Sequence, residues 1–596
     1  MITLTRAALA YLALPVFLFL LFWLRWYVAI PAAALLAMSL KLSVHQRPSA
    51  AIPSPRLRAR HVIFALLLAL LPVLLSGIGG FGPQSVDAPK HNAVLLDLTD
   101  GAWPVTYPDA PLSYYIAWYL PAAALGKWLG WTAANVALML WTLAGAALAL
   151  LLFHRASGAS LPVSAIFLFI WAGLRDFGGL LVHAWPFSQP NEARGWSQFW
   201  MAPGGLVDLH WLPQHMLPGW ICAALVLHAS RTSNLALAAA TLALSLLWSP
   251  FVSIGLAPFV ALQAWRQRLP WLAAAFALIP ALYLAARMDR VPTGLIYHFI
   301  DWPNHWPAYV HLLFLEWGLL LLLALPLAGL LPRRWTLLSA ALLALLPLYK
   351  AGLHNDLATN AARVPLAFLL IAVAARLSGS GEPLSNSRRA ALALLVVLGS
   401  TDSLRWAYTS LDQYQTAPPP LSQVRRVPQQ SALAQYNTQY LGDPNAFFFR
   451  FLAAPSVALT PKPIDIDYLS RRLTLSNSAS GFGGVESLAG APVRWAFGPE
   501  ASLLFHEPAP SDVTVHLAFS SPIPSQTVTI LQDGRQLRSY FTSASDTIDL
   551  SLPVGPSHII FRTTSWNGNP ASFSPSDARP IAILFSRLHL AAGSKP

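Results

Sequence analysis

Residues 81–111 read FGPQSVDAPKHNAVLLDLTDGAWPVTYPDAP and stand between two long apolar runs. The stretch holds Asp87, Asp97, Asp100 and Asp109, the only acids among the first 175 residues. A chain that withholds carboxylates until Asp87, then supplies several just after a hydrophobic run, places negative groups at one water interface of a bilayer. Ionisable groups at such positions are functional candidates.

The composition around this stretch sets the class. Hydrophobic residues make up 55% of the chain and charged residues 11%, against about 25% charged in an ordinary soluble domain. Apolar runs recur near the roughly 20 residues a helix needs to cross a bilayer, so the expectation is an α-helical polytopic membrane protein. The net charge of +13 does not point to nucleic acid. Its basic residues cluster in short links between apolar runs, as the positive-inside rule expects. The one cysteine, Cys222, excludes an intrachain disulfide. The first apolar run lacks a small-residue cleavage site and reads as a retained span.

Outward from residues 81–111, the apolar runs give about 13 transmembrane helices. Ala7–Leu24 and Tyr27–Leu42 form a first hairpin, and the acid-free linker at 45–60 is cytoplasmic by its arginines. Residues 113–129, with Trp, Tyr, a proline and Lys127, read as a helix lying along the interface. The apolar stretch 234–265 is too long for one span and breaks at Ser249-Pro250, where proline suits a turn. This places loops 81–131, 183–213, 287–309 and 349–363 on one outer face.

Beyond Tyr408 the pattern changes. Twelve of the 25 acids lie past residue 410, and short alternating segments begin at Val513, around Asp533-Gly534, and at Thr547, Ser557 and Pro580. Period-two alternation with an Asp-Gly turn signals antiparallel strands, and several in succession suggest a β-sandwich. The expected division is a multi-span part at 1–409, a linker and mixed region at 410–500, and an extracytoplasmic β-domain at 501–596.

The four outer loops gather the candidate chemistry. Asp87, Lys90, His91 and Asp97 come from the first, Arg194, His210 and the adjacent His215 from the second, and Lys350, His354 and Arg363 from the fourth. A carboxylate can take a proton from an attacking hydroxyl, while Lys, Arg and His stabilise a phosphate leaving group. Asp100 and Asp109, beside Gly and Pro, read as turn residues. Asp208-x-His210 with His215 has the residue types to ligate a divalent metal, but His also anchors interfaces alongside Trp and Tyr. The sequence requires no cofactor.

The run FGPQSVDAPKHNAVLLDLTDGAWPV, with SYYIAWYLPAAALGKWLGW behind it, resembles the first outer loop of bacterial members of the GT-C superfamily, multi-spanning glycosyltransferases that use polyprenyl-phosphate sugars. WLPQHMLPGW (211–220) and GLHNDLATNAARVP (352–365) also resemble segments of this group. The resemblance implies an essential Asp in the first outer loop, matched here by Asp87. It also implies that cations hold the donor phosphate, with Lys90 and His91 first and Arg194, Lys350 and Arg363 after them. It implies a place in the bacterial cytoplasmic membrane and, through SPSDARPIAILFSRLHL, a jelly-roll form for the C-terminal domain.

Physical reasoning agrees with the resemblance on one point. Nucleotide sugars are cytoplasmic, so a transferase working at the outer face needs a donor that crosses already carrying its sugar, which a polyprenyl phosphate provides. The expected partners are the membrane, a lipid-linked sugar donor and a glycan, lipid or protein acceptor. Asp87 acts as general base and the anomeric centre inverts. Two other classes fit many spans: a lipid or polysaccharide transporter or flippase, and a non-catalytic polysaccharide assembly or export component.

Overall fold

The computed structural model describes residues 2–45, 58–84, 87–174, 200, 204–265, 275–287, 293–318, 331–352, 355–379, 385–429, 439–459, 465–469, 479–505, 513–523, 525–542, 547–554, 557–570, 573–574, 577 and 579–592. The chain divides into two compact units. A helical unit takes in residues 1–83, 98–416 and 438–458, and a β unit takes in 84–97, 417–437 and 459–596.

The helical unit begins with α1 (Ile2–Trp23) and α2 (Trp26–His45). They part at Leu24-Arg25, where the Arg25 side chain donates to the carbonyls of Ala453 (3.0 Å) and Arg450 (3.2 Å). Next come α3 (Ala59–Leu75) and, across residue 87, α4 (Ala88–Asp100), inside which the division between units falls. Then follow α5 (Leu120–Leu129), α6 (Trp131–Ser157), α7 (Gly205–Trp211), α8 (Pro213–Arg231), α9 (Leu235–Trp248), α10 (Pro250–Ala264), and the pair α11 (Asp356–Ala361) and α12 (Arg363–Leu377).

Five helical segments among the described residues are long and apolar enough to cross a membrane: Leu4–Trp23, Trp26–Val44, Trp131–Ser157, Asp356–Leu377 and Arg389–Asp412. The expectation of thirteen crossings is not supported. Several of those runs form short helices: α9 has 14 residues and α10 has 15. At 1.5 Å per residue, 14 residues rise about 21 Å, short of the ~30 Å hydrocarbon layer. The linker expected at 45–60 and the loop expected at 183–213 lie wholly or partly outside the described residues.

The break read at Ser249-Pro250 is present. Ser249 leaves helical geometry, its hydroxyl accepts from Val252 N–H at 3.1 Å, and Pro250 takes the first helical position, where its missing N–H costs nothing. The stretch read as an interfacial helix differs. Only residues 120–129 of it are helical, and Tyr114, Ile116, Trp118 and Tyr119 are buried. Trp118 donates to Thr142 at 3.0 Å and the Tyr283 hydroxyl accepts from Tyr114 N–H at 3.1 Å, so these rings belong to the core. Exposure is confined to the end of α5, where Trp128 is 89% exposed.

The β unit is built on two antiparallel sheets. Its strands are β1 (Asp465–Asp467), β2 (Ala479–Ser480), β3 (Phe482–Leu488), β4 (Ala491–Phe497), β5 (Glu500–Phe505), β6 (Val513–Ser520), β7 (Gln526–Gln532), β8 (Arg535–Thr542), β9 (Ile548–Val554), β10 (Ser557–Thr563) and β11 (Ile581–Ala592). One sheet has the order β8-β7-β10-β5-β2, the other β9-β6-β11-β4-β3 with β1 on β11. Alternate residues of both meet in one core. Leu503, Val528, Ile530, Ile559 and Phe561 from the first join Val515, Leu517, Phe519, Ile583 and Phe585 from the second. Each such side chain contributes about 1.5–3 kcal/mol by burial. The Asp533-Gly534 turn joins β7 to β8 with both residues at positive φ (49° and 81°), the conformation Asp-Gly favours in tight hairpins. Strands also form upstream of residue 501, in the region read as linker.

Candidate functional site

The approach to Asp87 is a glycine turn, SGIGGFG at 76–82, with Gly77 and Gly79 both at φ 78°. A Cβ at Gly77 would come within 2.2 Å of the Pro83 carbonyl and 3.1 Å of the His210 ring, so only glycine passes here. His210 Nδ1 lies in hydrogen-bond contact with the Ser76 carbonyl, and its ring packs 4.7 Å from Trp406. A residue read as a substrate ligand is thereby a buried tie between α7 and the turn that follows α3.

In the β unit, α4 explains the spacing of the first-loop residues. The carbonyl of Asp87 accepts from His91 N–H at 3.0 Å, Pro89 lies in the first turn, and the helix carries Val94 and Leu95 into the interior. An acid at a helix N-terminus is favoured by the free N–H groups there. Lys90, one turn on, meets the Asp87 carboxylate at 3.1 Å. Its own side chain is 8% exposed, whereas that of Asp87 is 29% exposed. His91 is buried. Asp97, two turns further, is wholly buried and accepts from Arg426 at 3.0 Å and from Val427 N–H at 2.8 Å. It holds the segment at 426–427 to α4.

In the helical unit, Arg363 opens α12 and grips both oxygens of Asp208 on α7, with 2.9 Å for one of the two contacts. Its Nε donates to Asn360 at 3.3 Å. All three residues are buried. Asp208 carried only a metal-ligand reading in the sequence, and a partner 155 positions away leaves no signal in spacing. His215, near the start of α8, places Nδ1 2.6 Å from Ser249 Oγ, the hydroxyl that caps α10, and its ring lies tilted 4.7 Å from that of Tyr115. Beside it Gln214 is fully buried, and neither amide atom meets a hydrogen-bonding partner among the described residues. Gly219, one turn beyond His215, faces Arg363, where an added Cβ would stand 3.4 Å from the arginine Cβ. Arg363, Asp208 and Asn360 form a buried polar cluster within the helices, and His215 is buried against Ser249.

Lys350 lies on a short strand paired with Thr293–Leu295, opposite Gly294. Its ammonium sits 4.4 Å over the Phe299 ring, and burial pulls its pKa below the usual lysine range against a smaller upward pull from Asp356. Arg194 and His354 lie outside the described residues. Asp208, His210 and His215 each have a separate partner, and no group of three metal-ligating side chains occurs among the described residues. What the arrangement offers chemically is one accessible acid beside a buried lysine in the β unit, and in the helical unit a buried, neutralised ion pair. No family model matches this chain, and no curated protein matches it.

Proposed function

We propose that the chain is a membrane glycosyltransferase that moves a sugar from a polyprenyl-phosphate donor to a glycan, lipid or protein acceptor at the outer face of the bacterial cytoplasmic membrane. The observation that carries this reading is the contrast between Asp97, on α4, and Asp87, which immediately precedes that helix. Asp97 is buried and bound to Arg426, whereas Asp87 keeps 29% of its side chain exposed and faces Lys90 across 3.1 Å. The accessible acid is the one suited to take a proton, and the lysine beside it suits a phosphate.

In this reading the donor phosphate draws the Lys90 ammonium away from Asp87, and the released carboxylate accepts the proton of the acceptor hydroxyl. The hydroxyl oxygen forms a bond to the anomeric carbon as the bond from that carbon to the phosphate oxygen breaks. The polyprenyl phosphate leaves with the electron pair, and the centre inverts. His91, Lys350, Arg194 and His354 are the further candidates for donor or acceptor contact. Asp97 and Arg363 brace the framework through Arg426 and Asp208. A jelly-roll β unit suits a role in holding an acceptor.

The test is turnover by the purified chain in lipid vesicles carrying a polyprenyl-phosphate sugar labelled at C1. Release of polyprenyl phosphate with an inverted anomeric configuration in the product supports the proposal. A bound donor that is never cleaved in the presence of glycan, lipid and peptide acceptors sinks it. A lipid transporter or flippase is the second reading, favoured by the buried Asp208–Arg363 pair, since ionisable groups inside helices mark transport pathways. It requires movement of labelled lipid between leaflets without cleavage of the sugar–phosphate bond.

A further inference from the structure

Within the helical unit, α10 and the helix Arg333–Leu345 are joined by an aromatic cluster. Phe259 and Trp335 stand 5.2 Å apart, and both pack on Phe368 of α12 at 4.6 and 4.8 Å. Beside this floor the two helices leave an open groove of about 460 Å³. Pro258, Ala261, Leu262 and Trp265 line one wall at spacings of three and four, which is one face of a helix, and Arg334 and Leu337 line the other at the same spacing. Ala261 and Pro258 are short, so the walls do not close. The lining is apolar except at Arg334, which is exposed and pairs with no acid among the described residues, and Trp265 on the other wall is 84% exposed. Arg334 lies in the first turn of a helix whose N-cap is Pro332, which gives no side-chain cap, so the N–H groups of that turn are left uncapped beside it.

An apolar cleft with one exposed cation and an exposed tryptophan in its lining matches an acyl chain joined to an anionic headgroup. Trp belongs at headgroup level, and basic pockets between membrane helices take acidic lipids. We propose that this groove binds one anionic phospholipid, with an acyl chain between the two helix faces and the headgroup phosphate on Arg334. The inference rests on the membrane part of the function proposed above and is independent of catalysis.

The experiment uses the full chain, extracted in detergent, delipidated, and offered equimolar phosphatidylglycerol and phosphatidylcholine in mixed micelles, with bound lipid read by native mass spectrometry. One phosphatidylglycerol should be retained in preference to phosphatidylcholine. Arg334→Gln should lower that preference about fivefold, the worth of one basic residue near an anionic headgroup. Ala261→Trp, which fills the groove, should remove both lipids. Both positions are exposed, and an unchanged melting temperature shows that the variants fold. Equal retention of the two lipids, or a preference unaltered by Arg334→Gln, overturns the site alone. Recovery of the chain in the soluble fraction without detergent overturns the site and the membrane reading together.

Discussion

Arg363 closes on Asp208 through two N–H contacts, one at each carboxylate oxygen, and both residues are buried. Removing one partner strands a charge where water cannot replace it. Asp208→Ala or Arg363→Ala should each cost about 3–5 kcal/mol, whereas Asp208→Ala with Arg363→Met should recover most of the loss, because no unpaired charge then remains. Thermal unfolding of the two single variants and the double variant measures the coupling directly. Additive single losses would mean that the pair does not brace the helices.

Asp97 and Arg426 form the corresponding tie in the β unit. The sequence reading gave Asp97 to substrate, while its burial and its bonds to Arg426 and Val427 N–H give it to structure. Asp97→Ala should therefore lower stability by about 3–5 kcal/mol. Limited proteolysis at 417–437 should accelerate with it. A variant of normal stability that has lost only donor or acceptor binding would return Asp97 to the substrate.

The parts of the fold that were legible depended on local chemistry. Asp533-Gly534 announces its hairpin because both residues tolerate positive φ, and Ser249-Pro250 announces a helix start because one caps and the other needs no N–H. The signal for α4 was also present: Asp87, then Pro89, then apolar residues at 91, 94, 95 and 98 if His91 counts as buried. The four acids and the lysine around it favour a loop and mask that signal. Hydropathy alone does not separate a span from a short buried helix, since the two share the same composition. Pairings such as Asp208–Arg363 and Asp97–Arg426 join residues 155 and 329 positions apart, and nothing in the spacing of either chain segment could reveal them.

At the surface of the β unit, Asp577 accepts from the Arg579 side chain at 2.7 and 2.9 Å and from its backbone N–H at 3.0 Å, while Arg579 also reaches Glu486. The side-chain bonds first, then the backbone bond, hold the Asp577 carboxyl down to about 2. A depressed carboxyl gives stability that is present above the unfolded value near ~3.9 and is lost as pH falls through the folded one. The melting temperature of the full chain should exceed that of Asp577→Asn above about pH 4, and the gap should close toward pH 2. A gap that stays constant across that window would show that the carboxylate charge is not what holds the turn.

The central claim is that Asp87 takes the acceptor proton, and the most direct measurement is sugar transfer by Asp87→Asn in lipid vesicles. Donor binding and melting temperature are recorded on the same preparation. The amide keeps the shape and can accept a hydrogen bond, but it cannot act as the base. The account predicts a loss of about 10²–10⁴-fold in turnover with donor binding and stability retained, and for Lys90→Ala weaker donor binding instead. An Asp87→Asn chain that turns over at the rate of the unaltered protein would contradict it.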